Sequence, residues 1–200
     1  MLRTSRTIRS SLLATVAVAA ALTLSACGGG ATTATGPGAG STPAASSAAF
    51  NPADVAFARM MIPHHEQAVT MSDDLLAKHG ADPRVVDLAR QIKAAQEPEI
   101  DQLTAWLTAW GADTGGMSDM DHGTDGMMSD ADMMTLGNAT GADADRVFLE
   151  LMISHHEGAI AMAQTEVDDG DNADAQALAK AIVSSQTDEV AAMTDLLAAL

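Results

Sequence analysis

Only one cysteine, Cys27, occurs among the 200 residues. That scarcity excludes an intrachain disulfide, and with Cys27 next to the N-terminal segment no thiol nucleophile is left in the body of the chain. Basic residues are also few, with 10 Lys and Arg against 27 Asp and Glu and a formal charge of −17. Arg3, Arg6 and Arg9 belong to the first segment, and without them 7 basic residues face 27 acidic ones, a formal charge near −20. Such a chain repels nucleic acid and anionic lipid headgroups and attracts cations. Long apolar runs are missing too. The one from Leu12 to Leu24 is too short to span a bilayer stably. Nothing beyond it has the pattern of a strand, so the folded part is expected to be all-α. His65-Glu66 is not followed by the second histidine of His-Glu-x-x-His, which removes that metalloprotease signature.

The three arginines and the apolar run together form an export signal over residues 1–26. Leu24-Ser25-Ala26-Cys27-Gly28 resembles the bacterial lipoprotein cleavage box, in which the cysteine becomes the new N-terminus and carries lipid. A free thiol exposed outside the cytoplasm would be a liability, which favours lipidation of Cys27. Residues 27–49, rich in Gly, Ala, Ser, Thr and Pro, cannot pack a core and form a flexible tether. Residues 50–200 are one domain's worth of chain. The expected protein is exported and anchored to the cell membrane through Cys27, with its domain outside the cytoplasm.

What the chain does have is an internal repeat. Phe57-Ala-Arg-Met-Met-Ile-Pro-His-His-Glu-Gln-Ala-Val-Thr-Met71 returns 91 residues later as Phe148-Leu-Glu-Leu-Met-Ile-Ser-His-His-Glu-Gly-Ala-Ile-Ala-Met162. A second block, with Gln96-Glu-Pro-Glu99, returns 90 residues later with Gln186-Thr-Asp-Glu189. The features kept in both halves are His-His, Gln-x-x-Glu and the flanking methionines. Asn51-Pro52 opens a first helix that Gly80 closes, and Asp82-Pro83 opens a second that ends at Gly111. A third helix is expected from about Asp143 to Asp168, and a fourth from Asn172 or Ala173 almost to Leu200. Short connections make each half an antiparallel hairpin, 50–111 and 143–200, and the two hairpins form a four-helix bundle. Pro63 and Pro98 fall inside helices, each removing one backbone hydrogen bond, whereas Ser154 and Asp188 take their places in the second half.

At about 100° per residue, His64 and His65 flank the apolar stripe of the first helix, and Glu66 points away. Gln96 and Glu99 fall inside the stripe of the second helix, and their repeats Gln186 and Glu189 do the same in the fourth. An unpaired buried carboxylate is costly, so these acids need partners. The histidines are the abundant candidates. An inner polar layer is therefore expected in which His64, His65, His155 and His156 meet Glu99, Glu189, Gln96 and Gln186. Imidazole suits copper, zinc, iron and nickel, whereas thioether sulfur selects Cu(I), so the 13 methionines are the discriminating residues. Met61, Met71, Met152 and Met162 flank the histidines. The connector, 112–142, is acidic and Gly-rich and carries Met117, Met120 and His122 as candidates for copper capture. Its other reading is a disordered acidic linker. Ser129-x-x-Asp132 caps a short helix that brings Met133 and Leu136 back to the bundle.

The paired Met-Ile-x-His-His-Glu blocks, the Gln-x-x-Glu helices, the Trp110-Gly111 break and the Met-rich connector resemble domain-of-unknown-function family 305, mostly exported bacterial proteins. The resemblance covers about Phe50 to Leu200. It implies a ferritin-like four-helix architecture and, for some members, copper binding through His and Met. Residue by residue, that points to Met61, His64, His65, Met71, Met152, His155, His156 and Met162. No enzymatic activity transfers with it. Three functions remain open. The first is a copper-binding protein that buffers Cu(I) or Cu(II), or hands it to an accepting protein, with zinc or iron as alternative ions. The second is a di-metal carboxylate enzyme, an oxidase or peroxide consumer. The third is a metal-free envelope interaction module. Homo-oligomers fit any of the three.

Overall fold

A computed structural model describes residues 49–112 and 126–200. The export signal, Cys27 and the tether up to residue 48 lie outside the described residues, as do Met117, Met120 and His122 in the connector. Among the described residues every regular element is a helix: α1 (Pro52–Leu76), α2 (Pro83–Ala109), α3 (Asp130–Asn138), α4 (Gly141–Asp169) and α5 (Ala173–Ala198). No described helix is long and apolar enough to cross a membrane.

Local chemistry explains where these helices start. The Asn51 side chain accepts the amides of Ala53 and Asp54, Asp54 returns a bond to the Asn51 amide, and Pro52 occupies the first turn. Asp82 caps α2 by accepting from the Arg84 amide, and Asn172 caps α5 by accepting from Asp174 and Ala175. Ser129 and Asp132 form the capping box that opens α3. Helix α1 stops at Leu76, four residues short of Gly80. Gly80 instead supplies the left-handed φ of +80° that turns the chain toward Asp82. Helices α1 and α2 continue through Pro63 and Pro98.

Two apolar clusters hold the four long helices together. One joins Met71 and Leu75 of α1, Val85 and Ile92 of α2, Phe148 and Met152 of α4 and Met193 of α5, with Leu136 of α3 closing it. The other joins Phe57 and Met61 of α1, Leu103 and Leu107 of α2, Met162 and Ala163 of α4 and Ile182 of α5. On each long helix the histidines or the Gln-x-x-Glu block lie in sequence between these two sets, so a polar layer separates two apolar ones. The ends are cross-braced. Asp54 at the start of α1 accepts the Asn172 amide at 2.9 Å, and its repeat counterpart Asp145 accepts the Asp82 amide, the counterpart of Asn172, also at 2.9 Å. Each half thus ties down the start of the other half's last helix.

Candidate metal centre

All four paired histidines are buried, at 0 or 1% exposure. His64 of α1 and His155 of α4 face each other, with ring centroids 3.6 Å apart and planes inclined by 39°. Their neighbours face the other way. His65 Nε2 lies 2.8 Å from Glu99 Oε2 on α2, and His156 Nε2 lies 2.6 Å from Glu189 Oε2 on α5. Each carboxylate thus belongs to its own hairpin, and the link across the halves is imidazole to imidazole. Glu99 and Glu189 sit at the rim of the layer, each side chain 22% exposed. Glu66 and Glu157 are exposed.

The carboxylates have a chemical consequence. In a neutral imidazole whose Nε2–H donates to a carboxylate, Nδ1 carries a lone pair and no proton. Nδ1 of His65 and Nδ1 of His156 are buried and have no hydrogen-bond partner. Neither ring nitrogen of His155 reaches a partner in bonding geometry. Burial, reinforced by the neighbouring His64, His156 and His65, pushes the His155 pKa down to about 2, against a weak opposing pull from the His64 backbone. His155 is therefore neutral at any physiological pH, with a lone pair available. Both amide atoms of Gln96 and Oε1 of Gln186 are likewise buried without partners, so the glutamines do not bond the histidines as expected.

The methionines bracket this layer. Met61 and Met162 pack in the cluster on one side, and Met71 and Met152 in the cluster on the other. Thioether sulfur buried in this way fills core space and also places soft donors on both flanks of the imidazoles. Among the described residues no three His, Cys, Asp or Glu side chains converge closely enough to enclose one ion. The donors that can serve an ion are therefore the lone pairs of the imidazoles, supplemented by thioether.

The end of the connector is seated on this layer. Gln67 donates from Nε2 to the Met128 carbonyl at 2.9 Å and accepts the Met128 amide on Oε1 at 2.7 Å. Gly126, with φ of +78°, lies so close to α4 that a Cβ there would stand 2.8 Å from Gly158 Cα, 2.9 Å from the Ser154 carbonyl oxygen and 3.0 Å from that of His155. The available signal was the one glycine inside the repeated blocks, Gly158, which stands against Gln67.

Fold and site together define an all-helical protein with a buried imidazole layer bracketed by methionine. The family described as a domain of unknown function, DUF305, matches residues 54–197, and the chain belongs to it. The chain is similar to solved structures of a DUF305 fragment from Deinococcus radiodurans and of a DUF305 protein from Streptomyces coelicolor described as secreted. The first is 32% identical, with a TM-score of 0.68 over 75% of this chain and 98% of that one. The second is 35% identical, with a TM-score of 0.69 over 73% and 92%. It is also similar to CopM in its Cu(I)-bound form, at 29% identity and a TM-score of 0.62 over 72% of this chain and 94% of that one. No curated protein matches the chain.

Proposed function

We propose that this protein binds copper outside the cytoplasm, held to the membrane through lipidated Cys27, and that it buffers the ion or passes it on. In this reading the domain is a duplicated, ferritin-like four-helix bundle. His64, His65, His155 and His156 are its central donors, Met61, Met71, Met152 and Met162 the thioether donors, and Glu99 and Glu189 orient the outer two rings. Met117, Met120 and His122 form an outer capture point in the connector.

One observation carries the proposal: buried imidazole nitrogens of His65, His155 and His156 lack partners. Leaving such a group unsatisfied costs about 1–3 kcal/mol, and folded proteins rarely retain several together without a ligand to satisfy them. A carboxylate on the far nitrogen is the arrangement that orients a metal-binding histidine and raises its basicity. The thioethers favour copper over zinc. CopM, solved with Cu(I) and with Cu(II), supports the same choice. The di-metal carboxylate alternative has less support, because among the described residues only Glu99 and Glu189 bond the paired histidines, and Glu66 and Glu157 are exposed.

Anaerobic titration of the purified protein with Cu(I) against a competing chelator tests this directly. At least one ion should bind tightly. Replacing all four histidines by alanine should weaken binding by more than the roughly 10- to 100-fold that loss of an orienting partner alone produces. Unchanged affinity in that variant rules the site out.

A further inference from the structure

The repeat and the seated connector make conflicting demands on the same two positions. Gln67 and Gly158 are repeat counterparts, 91 residues apart, and each lies three residues after one of the two facing histidines, His64 and His155. Residues i and i+3 share a helix face, so both positions flank the histidine pair on their own helices. A single strand of chain crossing from α4 to α1 meets both of them. It cannot meet them alike, because one strand has one direction and one sequence. Position 158 is glycine, and the Gly126 backbone lies against its Cα and against the carbonyls of Ser154 and His155. Position 67 is glutamine, and both its amide groups are spent on the Met128 backbone. One position makes room and the other makes bonds. At this pair of positions the two halves differ as the crossing strand requires, glycine where it lies close and glutamine where it is bonded.

Burial beyond this point shows that the strand is held. Met128 packs against the core cluster of Met71, Phe148 and Met152, and Ser129 begins the capping box of α3, whose Leu136 is fully buried. Release of Gly126 to Met128 is therefore a local event, limited on its C-terminal side by an anchored helix.

We infer that Gln67 and Gly158 are positioning residues that seat Gly126, Met127 and Met128 across the histidine turns of α1 and α4, and that this seat sets how fast an ion enters and leaves the His64–His155 pair. The inference rests on the copper reading of that pair. Gln67 does not touch the ion. It holds closed the strand that lies beside the pair, so loosening it speeds entry and exit alike and leaves their ratio, the affinity, little changed.

The test compares the full chain with Gln67→Ala, which removes both bonds, and Gly126→Ala, which drives a Cβ into the α4 backbone. Transfer of bound Cu(I) to a chelator is followed by stopped flow, and affinity by equilibrium competition. Two ordinary hydrogen bonds hold back opening by a factor of about ten to thirty. Both variants should therefore transfer copper about tenfold faster, with affinity within about threefold of the parent. Equal transfer rates overturn the inference. So does an affinity that falls in step with the rate, since that would make the strand a source of ligands. A second readout needs no metal: hydrogen exchange of the Met128 amide in the apo protein should quicken by about the same factor in Gln67→Ala. If the parent chain binds no copper, the proposed function fails on its own. An unchanged Met128 exchange rate would then show independently that there is no seat.

Discussion

His155 is the residue in which function and stability pull hardest against each other. Its ring is fully buried, faces another imidazole and satisfies neither nitrogen, which makes it a poor core residue and a good ligand. His156, one position on, is a different case because Glu189 occupies its Nε2. The two should respond oppositely to leucine. His155→Leu removes two orphaned nitrogens at similar volume and should stabilise the apo protein by about 1–2 kcal/mol while weakening copper binding. His156→Leu strands the Glu189 carboxylate and should destabilise by about 1 kcal/mol, a modest loss because that carboxylate reaches solvent. Urea unfolding in excess chelator measures both. A destabilised His155→Leu would mean that the ring is a satisfied structural element after all.

Where helix ends meet, the halves differ in another way. Glu166, near the end of α4, stands at the repeat position of Leu75 and is buried beside Asp54. Burial, then its contact with Asp54, pushes the Glu166 pKa up to about 8. Burial also pushes Asp54 upward, but the amides of Asn51, Asn172 and Asp171 and the Glu166 carboxyl outweigh it, and its pKa ends up lowered. Of the two carboxyls, Glu166 is therefore the one that holds its proton toward neutral pH. A carboxyl with a raised folded pKa contributes stability that is fully present below its unfolded value of about 4.5 and is lost as pH rises toward about 8. Asp54 has the opposite dependence, confined to the acid range below 3.8, so the two windows do not overlap. Glu166→Leu, restoring the residue of the other half, should remove the loss. Its stability advantage over the parent should be larger at pH 9 than at pH 5, as read from urea midpoints at the two pH values. An advantage independent of pH would mean that Glu166 is ionised in the folded state.

At the scale of the whole molecule, a ligand that holds α1 to α4 through their histidines must stabilise the folded chain by mass action. Free copper at about one hundred times its dissociation constant adds about 2.7 kcal/mol. For a domain of this size that raises Tm by about 5–10 °C. Calorimetry with copper and with chelator measures the shift. Identical melting in the two would favour the metal-free envelope module over copper binding. The four-histidine variant should melt at the same temperature in both.

Helix starts were legible in the sequence because capping is local: Asn51-Pro52, Asp82-Pro83, Ser129-x-x-Asp132 and Asn172 act within a few residues of themselves. The polar layer was legible too, because period and repetition place His-His and Gln-x-x-Glu on inward faces without reference to any partner. Pairing within that layer was not. That His64 meets His155 while His65 and His156 each take a carboxylate depends on how α1 crosses α4, and no periodicity within one helix contains that crossing. The same holds for Gly126 against Gly158 and for Asp54 against Asn172, which lie far apart along the chain and touch only because the helices pack. The order of residues thus determined which groups would be buried, through local caps and helical period. Tertiary structure alone decided which buried nitrogens were left without partners, since that depends on the distances between helices.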